Sequence, residues 1–381
     1  MDFHLSKEQE DIRKAAESFA EGEFNPDLIS EWEREYRFPT AIWQKACELG
    51  FIGMHIPEEY GGQGLGIQEN ALVFEAFCRK DPGVGLALAL SDLGSGIILR
   101  YGTDKQKKMT LSSICSGKTI STLAYLEEGQ QDEVGCFETK AIENGDGYLI
   151  QGNKTFVLNL TLPGPAVVMC RLSGDSEKGE IAAFLFHKNA DGLVPEMLGD
   201  RVGMRMIPMG NLTFADLRVP HEGLLGKRGD GQSQLALSLS EMNIKASAVG
   251  TGIAQGAFDM ALAYAHRRIQ FGRKIVSFEA IRGRLTDMAT RIEFSRLLTH
   301  KAAWSFDRKS GDSKLPEMAK AVAAETALQV AKDALHIFGG YGYVVDYRIE
   351  RFYRDASMVD IIGLPGHSNK KSLADHVIGR M

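Results

Sequence analysis

Apolar residues recur at helical spacing at the start of the chain, at Leu5, Ile12, Ala15, Ala16 and Phe19, and again at Ala71, Phe74 and Cys78. Residues 1–115 therefore read as a helical domain, broken at IPEEYGGQGLG (residues 56–66), where glycine and proline mark a loop. Over residues 116–228 the texture changes to short runs rich in Val, Ile, Phe and Thr, such as AVVMCRL and EIAAFLFHK, punctuated by Gly, Asp and Asn. The spacing predicts a middle antiparallel β domain and argues against a parallel nucleotide-binding sheet. From 229 to 381 the helical period returns in stretches of roughly 25 to 35 residues, long enough for an antiparallel four-helix bundle. The fold class is α+β multidomain, and binding sites are expected where the three parts meet.

Composition changes this picture little. The chain has 381 residues, 44% hydrophobic and 25% charged, with a net charge of −6. Lys and Arg are mixed with acids throughout, so no basic face for nucleic acid is expected. No apolar run reaches the ~18 residues of a membrane span, and MDFHLSKEQEDIRK does not resemble a signal peptide, which points to a cytoplasmic protein. The five cysteines, Cys47, Cys78, Cys115, Cys136 and Cys170, are scattered without metal-ligand spacing and read as buried free thiols.

Two segments carry candidate chemistry. RRIQFGRKI (residues 267–275) joins two long helices; its arginines offer planar, permanently charged forks for phosphate, or belong to an ordinary surface loop. HIFGGYGY (residues 336–343) ends a helix on paired glycines, which either cap it or admit a cofactor.

FGRKI, then about 65 residues of helix, then FGGYGY and RIERFYRDA, resembles the C-terminal half of the acyl-CoA dehydrogenase family. IPEEYGGQGLG resembles that family's N-terminal loop and FADLRVPHEGLLG the segment closing its β domain, so the resemblance covers nearly the whole chain. It implies a flavoprotein in which a glutamate removes the α-proton of an acyl-CoA thioester while FAD accepts the β-hydride. By the same resemblance, Arg268 and Phe271 match positions holding the FAD pyrophosphate and adenosine end, and Gly339 and Gly340 match the neighbouring subunit's loop over the same FAD. An electron-transferring flavoprotein is the implied electron acceptor, and a homotetramer, or a heteromer with a homologous chain, the implied assembly.

The family pattern breaks at its base. YRDA (residues 353–356) is followed by six residues and then Gly363 where family members carry the catalytic glutamate. The other family position for that glutamate, on the first bundle helix, is Met242; Glu241 stands one residue away, about 100° around the helix, and is expected to face solvent or a subunit. LEEGQQDE (residues 126–133), beginning at Leu126, replaces a flavin-wrapping loop that carries threonine and serine hydroxyls. Phe156 and Leu158 replace a tryptophan and a threonine at the flavin; Phe156 still stacks, and Leu158 has only its backbone N–H to donate.

Three functions are compatible with these departures. In the first, the enzyme is active with a moved base: Asp92, in the apolar run LALALSDLGSGIIL, is the candidate, because burial raises a carboxyl pKa towards the range of a general base. Asp92 equally suits a helix N-cap. A family branch acting on cyclohexene-carboxyl-CoA is similar in lacking the glutamate and using an aspartate from this region for a 1,4-elimination. In the second, the chain is an inactive or FAD-sharing subunit of a heteromeric dehydrogenase. In the third, it binds acyl thioesters without redox chemistry.

Overall fold

The computed structural model describes residues 4–129, 135–173, 180–309 and 314–379. Seven helices come first: α1 (Lys7–Glu23), α2 (Pro26–Arg34), α3 (Thr40–Glu48), α4 (Ile67–Lys80), α5 (Pro82–Ala89), α6 (Ser95–Tyr101) and α7 (Asp104–Cys115). Their starts follow local chemistry. Ser6 and Gln9 form a reciprocal capping box on α1, Asn25 caps α2 ahead of Pro26, and Thr103 and Gln106 repeat the box on α7. Every residue of α5 is buried, which is why its sequence shows no polar stripe.

The middle domain holds β1 (Thr122–Ala124), β2 (Lys140–Asn144), β3 (Gly147–Leu158), β4 (Pro165–Leu172), β5 (Ile181–His187), β6 (Leu193–Met197), β7 (Met209–Pro220) and β8 (Leu224–Leu225). They form one sheet in the order β6-β7-β3-β2-β4-β5-β8, with β1 also on β4. The sheet is mixed, correcting the expectation of an antiparallel one: β1 and β2 both run parallel to β4, and the other pairs are antiparallel. Period-two alternation reports which face a side chain takes, not the direction of the neighbouring strand, so the sequence had no signal for this.

The C-terminal part contains α8 (Gly231–Arg267), a two-residue hairpin of β9 (Ile269–Gln270) and β10 (Arg273–Lys274), then α9 (Glu279–Asp307), α10 (Lys314–Phe338), α11 (Ile349–Ala356) and α12 (Gly366–Ile378). Small residues on α8 let it lie directly on α4. A Cβ at Gly252 or Gly256 would overlap the backbone carbonyls of Glu75 and Arg79. One apolar core runs from α1 through α8 to α11, and the sheet has a second of its own. Charge ties the parts together: Arg351 of α11 sits 3.0 Å from both Glu33 of α2 and Asp81 at the head of α5, and Asp355 accepts the Met204 N–H at 2.8 Å. Cys47, Cys78, Cys115 and Cys170 are buried, whereas Cys136 is exposed, contrary to expectation. Among the described residues no helix is long and apolar enough to cross a membrane.

Candidate active site

Asp92 lies in the turn between α5 and α6. Its backbone carbonyl accepts the Ser95 N–H, but the residue preceding α6 is Gly94, so the Asp92 carboxylate does not cap that helix. It points inward instead, 1% exposed, and its Oδ1 accepts from Lys245 Nζ of α8 at 2.5 Å. Lys245 also lies over the Phe74 ring, 5.6 Å from its centroid. Burial opposes ionisation of Asp92, yet the Lys245 ammonium and its hydrogen bond hold the carboxyl below the usual carboxylate range. The expectation that burial raises this group is thereby corrected. An apolar run read from sequence does not reveal a cation arriving from a helix 153 residues later.

Asp92 lines a cavity of about 130 Å³ between α4, the α5–α6 turn, α6, β1, α8 and the end of α9. The volume is small beside the roughly 300–1,000 Å³ typical of ligand pockets. Its wall is polar at one end, where His55, Ser95 and Lys245 gather around Asp92. It is charged at another, where Arg100 meets Glu241 at 2.6 Å. Glu241 thus faces the cavity, because Gly96 of α6 leaves room for its carboxylate beside Arg100. Leu99, Leu123, Met242 and Phe306 supply the apolar surface.

The two positions that the resemblance assigns to the glutamate lie against each other here. Met242 lines it, and Gly363 packs behind: a Cβ on Gly363 would fall 3.3 Å from Met242 Cβ and 2.5 Å from Asn243 Oδ1. Gly363 has φ +72°, its carbonyl accepts from the Tyr125 hydroxyl, and the next N–H, of Leu364, donates to Asn243 Oδ1 at 3.1 Å. Lys320 Nζ donates to the carbonyls of Asp360 and Leu364, fixing the same loop to α10.

A second cavity, of about 610 Å³, is lined by Arg268, Phe271, Phe338, Gly339, Gly340 and Tyr341, among others. The Arg268 guanidinium lies 5.2 Å from the Tyr341 ring centroid. Phe271 has φ +51° and is 92% exposed, and neither Gly339 nor Gly340 has any atom within 4 Å of where a Cβ would stand. All four candidate cofactor residues here belong to one chain, because α8 and α10 end side by side.

Leu126, Phe156 and Leu158 do not line that cavity. They meet at the β1 end of the sheet, where the Leu126 carbonyl accepts the Thr155 N–H at 2.9 Å and the Leu158 carbonyl accepts from the Thr122 hydroxyl at 3.1 Å. Phe156, at φ +52°, keeps half its surface exposed. Of LEEGQQDE, residues 130–133 lie outside the described residues, while Glu127 accepts from Lys154 Nζ at 2.6 Å. Lys245, His55 and Arg100 escaped the sequence reading. Lys245 had a signal available: a lone lysine in the apolar stretch NIKASAVG calls for a buried partner just as Asp92 does.

A helical domain, a β domain and a helical domain, with a small pocket at their junction and a larger cavity holding Arg268 and the paired glycines at one end of the bundle, define an acyl-thioester flavoprotein architecture. The sequence matches the family descriptions "Acyl-CoA dehydrogenase, N-terminal domain" over residues 6–118, "middle domain" over 122–217 and "C-terminal domain" over 229–371. The chain belongs to the acyl-CoA dehydrogenase family. It is 34% identical to a probable acyl-CoA dehydrogenase, YngJ, of Bacillus subtilis, with 95% of each chain covered. It is 32% identical to CarC of Acetobacterium woodii, a subunit of a caffeyl-CoA reductase-Etf complex, over 94% of this chain and 95% of that one. Among solved structures, a glutaryl-coenzyme A dehydrogenase in complex with glutaryl-CoA superposes with a TM-score of 0.94 at 30% identity, over 100% of this chain and 98% of that one.

Acyl-CoA dehydrogenases use FAD. The residues present fit it: an arginine and open glycine backbone suit its charged tail, and the exposed Phe156 face suits its ring.

Proposed function

We propose that this protein dehydrogenates a compact, cyclic acyl-CoA thioester, with Asp92 in place of the family glutamate. The observation that carries the reading is the free oxygen of Asp92. Its Oδ2 is buried and unpartnered, and the residue lines the same cavity as Met242, with Gly363 packed behind. Bound FAD supplies the acceptor for the hydride equivalent. The chain's own residues do the rest. Lys245 keeps Asp92 ionised and ready to take a proton at Oδ2, and the missing side chain at Gly363 leaves the usual position without a base. Because Asp92 sits on the α6 side of the cavity and not on the Gly363 loop, it would reach a ring carbon away from Cα, which makes a 1,4-elimination the expected outcome. A long saturated tail is disfavoured by the charged Arg100–Glu241 wall.

Arg268, Phe271, Gly339 and Gly340 would hold the FAD tail, and Phe156, Leu158 and Leu126 its ring end. These two groups line different places on one chain, which supports a shared site in an oligomer, a homotetramer or a heteromer with a homologous chain. The relative named for an Etf complex supports an electron-transferring flavoprotein as acceptor. The test is an absorption spectrum of the purified protein before and after anaerobic addition of cyclohexene-carboxyl-CoA. Bleaching of flavin bands in the native protein, abolished in Asp92→Asn, is expected. Bleaching retained in Asp92→Asn would refute the assignment of the base.

A further inference from the structure

Asp92 presents a problem of proton disposal that the pocket itself addresses. Its side chain is 1% exposed and Oδ1 is taken by Lys245, so a proton received at Oδ2 has no direct route to water. The charged groups around that oxygen are few. The Lys245 ammonium has no lone pair, and Glu241 is occupied by Arg100 across the cavity. Among the described residues lining the cavity, the side chain placed to accept is His55, from the loop between α3 and α4, whose Nδ1 lies 3.8 Å from Asp92 Oδ2. Both atoms are buried and lack any other hydrogen-bond partner. On its far side the ring is held by Ser95, with Nε2 3.0 Å from Oγ, and the histidine side chain is 14% exposed, so the ring reaches from the sealed carboxylate towards the outside.

We propose that His55, set in its tautomer by Ser95, is the positioning residue and proton carrier that connects Asp92 to solvent. The inference rests on the assignment of Asp92 as base. With Nε2–H donated to Ser95 Oγ, Nδ1 is the acceptor and faces Oδ2; closure of about 1 Å brings the pair to hydrogen-bond length once Oδ2 carries a proton. The step balances: the C–H bond of the substrate breaks, its proton goes to Asp92 Oδ2 and then to His55 Nδ1, the imidazolium gives up its Nε2 proton through Ser95 Oγ towards solvent by way of the cavity both residues line, and exchange with water returns the ring to its first tautomer. Burial, helped by the Lys245 and Arg100 cations, pulls the His55 pKa below its ordinary value against the opposing pull of the Asp92 and Glu241 carboxylates. The resting ring is therefore neutral and able to accept. Run in reverse, the same pair delivers a proton to a double bond.

The experiment compares two readouts in the holoenzyme: bleaching of flavin in a single anaerobic turnover, and incorporation of deuterium from D₂O into cyclohexene-carboxyl-CoA at the carbon facing Asp92. In His55→Gln deuterium incorporation should slow roughly tenfold or more relative to flavin bleaching in the same variant, because the proton on Asp92 returns to substrate before it exchanges. Imidazole added to His55→Ala should restore exchange. Ser95→Ala, which keeps the ring but frees its tautomer, should slow exchange with no loss of flavin, and it decides the matter if the histidine variants do not fold. Unchanged exchange in His55→Gln, or in Ser95→Ala where that variant stands in, overturns the proposal. Asp92→Asn separates the two failures: if it keeps both readouts the base assignment falls, and if it loses both while His55→Gln exchanges normally, only the relay falls.

Discussion

Gly363 and Asn243 exclude a side chain between them. At φ +72° the glycine turns its hydrogen towards α8, and a Cβ there would stand 2.5 Å from an Asn243 Oδ1 already engaged with the Leu364 N–H. The family's base position is therefore closed by packing as well as by sequence. Gly363→Glu is expected to lose about 1–3 kcal/mol from strain at positive φ and to gain no butyryl-CoA dehydrogenase activity. Met242→Glu, on a side chain that already lines the cavity, is expected to gain it. Stopped-flow reduction of flavin by butyryl-CoA compares the two, and activity in Gly363→Glu alone would contradict the packing argument.

Lys245 and Asp92 form a buried pair whose partners each depend on the other. Lys245→Met leaves the carboxylate alone in the interior, at a cost of about 3–5 kcal/mol in chemical denaturation, and Asp92→Asn in the same chain should return much of it. Additive losses in the double variant would show that the pair is not coupled.

Asp355 is pushed up from 3.8 to about 7, first by burial and then by the neighbouring Glu33 carboxylate, against the pull of Arg351 and Arg354. The folded state therefore holds a proton that the unfolded chain releases near 3.8. Its stabilising contribution is complete below that pH, declines as pH rises and is gone above about 7, a difference on the order of 4 kcal/mol. Asp355→Asn, which can still accept from Met204, should flatten the stability profile between these values and raise stability at pH 8. A profile as steep as that of the native protein would place the titration elsewhere.

Gly340 has open space where a side chain would stand, so Gly340→Val should fold with little change in thermal midpoint. If the backbone there approaches FAD, flavin content should drop by more than about tenfold, read as the ratio of flavin to protein absorbance. Full flavin occupancy would remove this loop from the cofactor site.

The order of helical, β and helical domains was legible because periodicity is local: Ala71, Phe74 and Cys78 mark α4, and AVVMCRL marks β4, without reference to anything distant. So was the absence of a carboxylate at Gly363. What only the tertiary structure decided are pairings across the chain. The parallel seat of β1 and β2 on β4, the meeting of Glu241 with Arg100 and the approach of Lys245 and His55 to Asp92 leave no periodic trace. Sequence named the acid in the apolar run. Its ionisation was set by a lysine on α8, because electrostatics depends on distance in space and not along the chain.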